Sequence, residues 1–209
     1  MQKILFLFIT VISISFSVQA QIINNYGVKL GIISSDLSYN NFPTTLETER
    51  KLGFIGGAFV EWFNYPIFSM ITQIEYAQKG SSYEIVVTGE NDPTPIGIKT
   101  YNNNLYYISL PVYVKAKITM SSLIPYVFAG ARADFLLGYS TEFDSTIFSK
   151  FKNTTFGGVL GFGIEPLLDI PLNPFLEFRY DFDFTNSYDE NGMTIKNNAF
   201  DILIGVSFN

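Results

Sequence analysis

One group of potentially reactive side chains consists of the carboxylates of Glu177, Asp181 and Asp183. Paired carboxylates hydrolyse glycosidic bonds, and carboxylates two residues apart open the calcium-binding loop of an EF-hand. The glycine and the remaining ligands of such a loop are missing at the required spacing after Asp183. The acids instead alternate with Phe178 and Tyr180, which is the pattern of a strand with one polar face. We therefore predict neither a carboxylate catalyst nor a metal site here.

Other chemistries are limited by the residue types that the chain lacks. It has neither His nor Cys in 209 residues, which removes the commonest general base and metal ligand, thiolate nucleophiles and disulfides. Residues 158–163 (GVLGFG) do not have the order of a G-x-G-x-x-G loop, and no Walker lysine follows them. A net charge of −6 disfavours a nucleic-acid partner. We predict that the protein is not an enzyme and has no catalytic residue, cofactor or metal.

A larger set of charged residues recurs at every second position of otherwise apolar segments. Its members could line an ion pathway, or they could pair with one another as a structural plug. The set has fourteen members, six basic and eight acidic, and this near balance suits mutual pairing away from bulk water. Two of the basic members are Lys79 and Lys117. The other twelve are Lys29, Glu61, Glu75, Lys115, Arg132, Asp134, Glu165, Glu177, Arg179, Asp181, Asp183 and Asp201.

The elements that carry these residues are predicted by a hydrophobic period of two. Between Pro174 and Phe184 all even positions are apolar, whereas the odd positions include Glu177 and Arg179. Side chains alternate between two faces along a strand, so one face is apolar and the other polar. Eight segments share this pattern, and most reach about the 9–11 residues that a tilted membrane strand needs. They cover residues 26–32, 53–63, 68–79, 105–118, 125–139, 154–165, 174–184 and 200–208.

The connections between these segments alternate in length. The short ones cover residues 64–67, 119–124 and 166–173, and the long polar ones cover residues 34–52, 80–104, 140–153 and 185–197. Short turns on one side and long loops on the other are typical of outer-membrane barrels. With eight strands both termini lie on the periplasmic side, and we expect the long loops to face outside.

Two kinds of barrel fit a period of two. A soluble barrel buries its apolar face and binds an apolar ligand, whereas a membrane barrel turns that face to lipid and keeps polar groups inside. The polar face is rich in glycine, as at Gly157, Gly161 and Gly163, which suits a narrow interior crossed by long side chains. Aromatic residues near strand ends, such as Trp62 and Tyr139, suit interfacial girdles. These features favour the membrane barrel, and the soluble barrel is the alternative.

The first twenty residues have the form of an export signal. Lys3 gives a positive start, residues 4–16 are mostly apolar, and Val18-Gln19-Ala20 fits a small-x-small cleavage site. The apolar stretch is shorter than the roughly 20 residues of a membrane-spanning helix. We predict a cleaved signal peptide at residues 1–20 and a single barrel domain at residues 21–209.

Several segments also resemble those of one bacterial family. They are GVKLGIISS near residue 27, GFIGGAFVEWF, IEYAQKGSSYE, LYYISLPVYVKAKI, PYVFAGARADFLLG and PFLEFRYDFDFTN. The most specific are the Y-x-x-K-G pattern at residues 76–80 and the Leu110-Pro111 pair inside residues 105–115. On these motifs the chain resembles the PorT-like outer-membrane β-barrel family of Gram-negative bacteria. The resemblance implies a signal peptide and a barrel of about eight strands, without a defined activity for most members and with a link to protein secretion for one namesake.

The sequence thus predicts an all-β fold, an eight-stranded antiparallel up-and-down transmembrane β-barrel that is a monomer in the outer membrane. Eight strands leave an interior just wide enough for side chains to fill, so we expect a plugged lumen and a structural or interaction role for the extracellular loops. A narrow pore or a secretion-accessory barrel is the alternative. The expected partners are outer-membrane lipids, the barrel-insertion machinery and a ligand at the loops, without nucleic acid.

Overall fold

The computed structural model describes residues 23–40, 48–63, 65–89, 92–142, 149–168, 171–190 and 192–208. The signal peptide predicted at residues 1–20 lies outside these ranges and stays a prediction. Within them, no helix is long and apolar enough to cross a membrane.

The described residues form one antiparallel sheet of nine strands. The strands are β1 (Ile23–Asn40), β2 (Thr48–Trp62), β3 (Phe68–Gly89), β4 (Asp92–Lys117), β5 (Leu123–Thr141), β6 (Thr154–Pro166), β7 (Leu172–Asp183), β8 (Tyr188–Glu190) and β9 (Met193–Phe208). β9 lies between β7 and β1, and it pairs with β1 from Phe208↔Tyr26 to Thr194↔Asn40, which closes a ring of eight strands. Among the described strands, the short β8 pairs with β9 alone. The predicted eight-stranded antiparallel barrel is confirmed.

The apolar face of the sheet is turned outward. Phe178 and Ile204 are 37% and 57% exposed, whereas Arg179 and Asp181 keep only 3% and 2% of their surface. A soluble barrel would show the reverse, because water would surround its outer face. The orientation is therefore the one predicted for a membrane barrel, and it excludes a soluble barrel that encloses an apolar ligand.

The outward-facing residues change from apolar to polar at a defined height. On β9 they are apolar from Phe200 to Phe208 and polar at Asn198 and Lys196. Nine residues that rise about 3.3 Å each, on a strand tilted by about 40°, span roughly 23 Å along the membrane normal. This height is close to the apolar belt of about 25 Å found on outer-membrane barrels.

The prediction of long polar loops was wrong for most of their length. β1 continues to Asn40, β2 begins at Thr48, and β3 and β4 form a hairpin that runs to Gly89 and resumes at Asp92. Residues 185–197 likewise contain β8 and the start of β9. Above the belt the outer face no longer meets lipid and takes polar residues, so the apolar outer row that marks the membrane strands stops although the backbone pairing continues. Residues 41–47, 90–91, 143–148 and 191 of the predicted loops lie outside the described part of the chain.

Candidate functional site: the filled lumen and the outer ribbon

The lumen begins at its periplasmic end with an ionic group centred on Lys115 of β4. The Lys115 ammonium lies 3.5 Å from Glu61 of β2, pairs with Glu165 of β6 and lies 4.2 Å from the ring centre of Tyr126 on β5. Ser69 of β3 donates a hydrogen bond of 2.6 Å to Glu61. These contacts join five strands across the mouth of the barrel.

An aromatic layer lies above this ionic group. Its buried members are Phe59, Ile71, Tyr113, Tyr126, Phe128, Val159 and Phe175. The rings of Tyr113 and Phe128 stack with their centres 4.6 Å apart. An inward-facing glycine makes room for these rings, because a Cβ on Gly163 would overlap the ring of Tyr126. The sequence had indicated this use of glycine, but it had not indicated that the interior contains an apolar layer.

Arg179 of β7 occupies the centre of the lumen. One terminal guanidinium nitrogen lies 3.0 Å from each carboxylate oxygen of Glu75 on β3, across the barrel. Its Nε donates to Asp201 on the neighbouring β9 at 2.8 Å. Lys29 of β1 lies 3.2 Å from Glu75 and 3.0 Å from Glu177. The ion pairs therefore cross the barrel from wall to wall and fill its cross-section.

A second guanidinium, Arg132 of β5, extends these ion pairs toward the outside. Arg132 pairs with Asp134 and lies 2.6 Å from Asp183, and Lys79 of β3 lies 2.7 Å from Asp134. Asp181 joins the two halves, because its carboxylate lies 3.7 Å from Arg132 and 3.2 Å from the central guanidinium. The result is one continuous charge network, which we call the lumen network.

The structure brings together all twelve charged residues that the sequence singled out. Each lies within 4.0 Å of a group of opposite charge. Eleven are buried, and Glu165 is half-buried at the periplasmic mouth. Glu61, Lys115 and Glu165 form the periplasmic group, and the other nine, with Lys79, form the lumen network. Their role as a structural plug stays a prediction.

The lumen network contains more carboxylates than cations. It holds six carboxylates and four cations, and each of its two guanidiniums serves three carboxylates. Neutral donors assist, since Ser109 donates to Asp134 at 2.6 Å and Tyr126 to Glu177 at 3.1 Å. The Oδ1 atom of Asp201 accepts no hydrogen bond from the residues that the structure describes. Loss of a guanidinium therefore leaves more buried charge unpaired than loss of one carboxylate.

An apolar cap closes the outer end of the lumen. Its buried members are Leu37, Leu105, Tyr107, Phe151, Tyr188 and Ile195. Phe151 comes from the connection before β6, whereas Tyr188 is the first residue of β8, and their ring centres lie 6.0 Å apart. Outside the cap Lys150 pairs with Glu190, and this hydrogen bond raises the pKa of the Lys150 ammonium. The sequence contained no periodic signal for these two aromatic residues.

The β3–β4 hairpin extends beyond its neighbours. The last pairing of β2 with β3 is Thr48↔Tyr83, and the last pairing of β5 with β4 is Thr141↔Asn103. Farther out, residues 84–89 and 92–100 pair only with each other among the residues that the structure describes. The rings of Tyr83 and Tyr101 stack at 5.5 Å at the base of this outer ribbon.

Comparison with known proteins places the chain among bacterial outer-membrane barrels. A family model described as the outer membrane protein beta-barrel domain matches residues 19–189. Among solved structures, the outer membrane protein OprG from Pseudomonas aeruginosa is 10% identical, covering 91% of this chain and 97% of its own, with a TM-score of 0.49. Neisserial surface protein A is 13% identical, with coverages of 88% and 98% and a TM-score of 0.47. No curated protein matches the chain.

The family match covers most of the chain, and its members are small barrels that are generally not enzymes. It agrees with the closed eight-stranded ring and with the apolar belt on the outer face. The chain therefore belongs to the outer membrane protein beta-barrel domain family, and it is a small transmembrane β-barrel of the Gram-negative outer membrane.

Proposed function

We propose that this barrel is a closed membrane anchor, without catalytic activity, whose outer ribbon is the surface that meets partners outside the cell. The observation that carries the proposal is the content of the lumen. Two ionic layers, an aromatic layer and an apolar cap follow one another along its axis. In this proposal residues 1–20 direct export, and membrane lipids and the barrel-insertion machinery are the general partners of a monomer.

The lumen network is better suited to sealing the barrel than to conducting ions. A permeating ion needs binding sites that it can both enter and leave. Here the carboxylates face fixed cations at salt-bridge distance, as Glu75 does with Arg179 and Lys29. Separating such a buried pair costs several kcal/mol, because each charge loses its partner without gaining water.

The same pairing argues against carboxylate catalysis. A general acid or base must be able to exchange its proton with a substrate. Asp181 and Asp183 lie against guanidiniums inside the barrel, beneath the apolar cap. A substrate would have no route to them without opening the cap. We therefore assign these carboxylates to the stability of the barrel.

The resemblance to the PorT-like branch supports a narrower version of the proposal. Both motifs of the resemblance belong to the barrel. Lys79 of the Y-x-x-K-G pattern joins the lumen network, and Leu110-Pro111 lies in strand β4 of the wall. A secretion-accessory role would fit that branch. In that case deletion of the gene would impair secretion, although the barrel itself would still not conduct.

Two measurements on the full-length protein test the proposal. In planar bilayers we expect no stable conductance from the wild type, nor from a variant in which a two-residue Asn-Gly turn replaces residues 84–100 and joins the paired Tyr83 and Tyr101. On intact cells an added protease should cleave within the ribbon while the barrel remains protected. Large steady currents from the wild type would contradict the sealed lumen. Cleavage of the ribbon only after permeabilisation of the outer membrane would contradict its position outside the cell.

A further inference from the structure

A groove of about 520 Å³ crosses the outward surface of the barrel near its periplasmic end. It lies over β1, β9, β7 and the end of β6. Most of the residues that line it are aliphatic, among them Leu30, Leu176 and Ile204, and the buried Lys29 and Phe175 also contribute to the lining. Leu30 and Ile204 are more than half exposed, so the groove is open to the surroundings of the barrel.

The register of the strands explains why a groove forms here. Val28, Val206 and Pro174 are direct neighbours across β1, β9 and β7. Their side chains are short, and they form one row around the barrel. The next row toward the outside contains the longer side chains of Leu30, Ile204 and Leu176. The short row is therefore recessed relative to the row above it.

An aromatic pair, which we call the rim, forms the next outward-facing row on the periplasmic side of the short row. Tyr26 and Phe208 are paired across β1 and β9, and their rings stack with centres 5.7 Å apart. Tyr26 is exposed, as are the tyrosines that mark the membrane interface in other barrels. A recessed row between this rim and the leucine-isoleucine row makes a furrow that runs across three strands.

The position of the furrow specifies what can occupy it. It belongs to the apolar belt of an outer-membrane barrel, so it is continuous with the surface that faces lipid. A chain lying in a furrow touches protein on several sides, whereas a chain on the convex wall touches it on one. Each additional contact contributes dispersion energy, and the sum over a whole chain is substantial.

We propose that this furrow binds one acyl chain of a phospholipid from the periplasmic leaflet. The aliphatic walls contact the chain, and the Tyr26 phenol lies at the level of the headgroup. The site lies on the membrane-facing side of the barrel, so it is independent of the outer ribbon and of its partners.

The test is retention of phospholipid by the full-length protein after extraction into a mild detergent. Native mass spectrometry of the wild type should show one bound phospholipid per barrel. Val206→Phe and Val28→Phe fill the furrow, and each should lower that occupancy at least tenfold. Val114→Phe adds the same side chain to the exposed outer face of β4, away from the furrow, and should leave occupancy unchanged. Heat-modifiable gel migration shows that each variant is folded.

Three results would overturn the proposal: no phospholipid on the wild type, retention in both furrow variants, or an equal loss in Val114→Phe. A second measurement needs no variant. A phospholipid with a photoreactive group in its acyl chain should label β1, β7 and β9 of the wild-type barrel. Labelling spread evenly over all eight strands would show ordinary contact with bulk lipid and would also overturn the proposal.

Discussion

The central guanidinium offers the sharpest perturbation of the lumen. Arg179→Met keeps a side chain of similar length but removes the charge that serves Glu75, Asp181 and Asp201. The Arg179 side chain and these three carboxylates are almost completely buried. Removing one partner of a buried ion pair costs about 3–5 kcal/mol, because the remaining charge is left without compensation. We expect Arg179→Met to lower the free energy of unfolding by this amount.

The assay is urea unfolding in detergent micelles or lipid vesicles, followed by the fluorescence of Trp62. This residue is the only tryptophan of the chain and is half-buried at the end of β2, so its signal reports on the belt of the barrel. The midpoint should fall while the denaturant slope stays constant, which identifies a change in stability rather than in compactness. In planar bilayers Arg179→Met should still show no stable conductance, because the substitution leaves the aromatic layer and the apolar cap in place.

Two control variants separate the charge effect from a general loss of packing. Asp201→Asn removes one of the excess carboxylates and should cost about 1 kcal/mol or less, because Arg179 keeps Glu75 and Asp181. Lys152→Met alters an exposed pair with Asp189 and should change stability by no more than about 0.5 kcal/mol. If Arg179→Met lowers the free energy of unfolding by less than about 1 kcal/mol, or by no more than Asp201→Asn does, the central guanidinium does not compensate these buried carboxylates.

Three further predictions concern packing and the ribbon. Gly163→Ala should destabilise the barrel by about 1–3 kcal/mol in the same urea assay, because the new methyl group overlaps the ring of Tyr126, whereas Gly138→Ala should be neutral since a Cβ there meets nothing within 4 Å. Phe151→Ala should cost about 3 kcal/mol through loss of buried area in the cap, and a change below about 1 kcal/mol would show that the cap does not stabilise the barrel. Replacing residues 84–100 by Asn-Gly should leave the heat-modifiable migration of the barrel unchanged, because those residues pair only with each other among the described strands; loss of that migration would mean that the ribbon is needed for folding.

The strands that cross the membrane could be predicted from the sequence because one physical constraint controls them. Lipid on the outside and a packed lumen on the inside force an alternation at every position, as in Phe178, Arg179, Tyr180 and Asp181. The same constraint identified the charged residues of the lumen, because the outward face of a membrane strand meets lipid and a charged side chain is therefore placed on the inward face. Pairing partners such as Arg179 with Glu75 could not be predicted, because they lie across the barrel and depend on side-chain length and strand register.

The parts that the sequence did not predict lack this constraint. Above the belt, Ser, Asn, Thr and Tyr occupy both faces of β3 and β4, so strand and loop have similar composition there. Phe151 lies in a connection and Tyr188 in the three-residue β8, and neither has enough periodic context to mark it as buried. The furrow on the outer wall arises from the sizes of Val28, Val206 and Pro174 in a shared row, and that row exists only once the register of three strands is known.

A cysteine scan of β9 measures which face of the sheet is turned toward lipid. The chain has no native cysteine, so single substitutions from Ala199→Cys to Phe208→Cys can each carry one spin label in lipid vesicles. Labels at Phe200, Ile202 and Ile204 should collide freely with oxygen dissolved in the lipid, whereas labels at Asp201 and Leu203 should be shielded from it. A scan without this alternation, or with the odd positions in contact with lipid, would contradict the account.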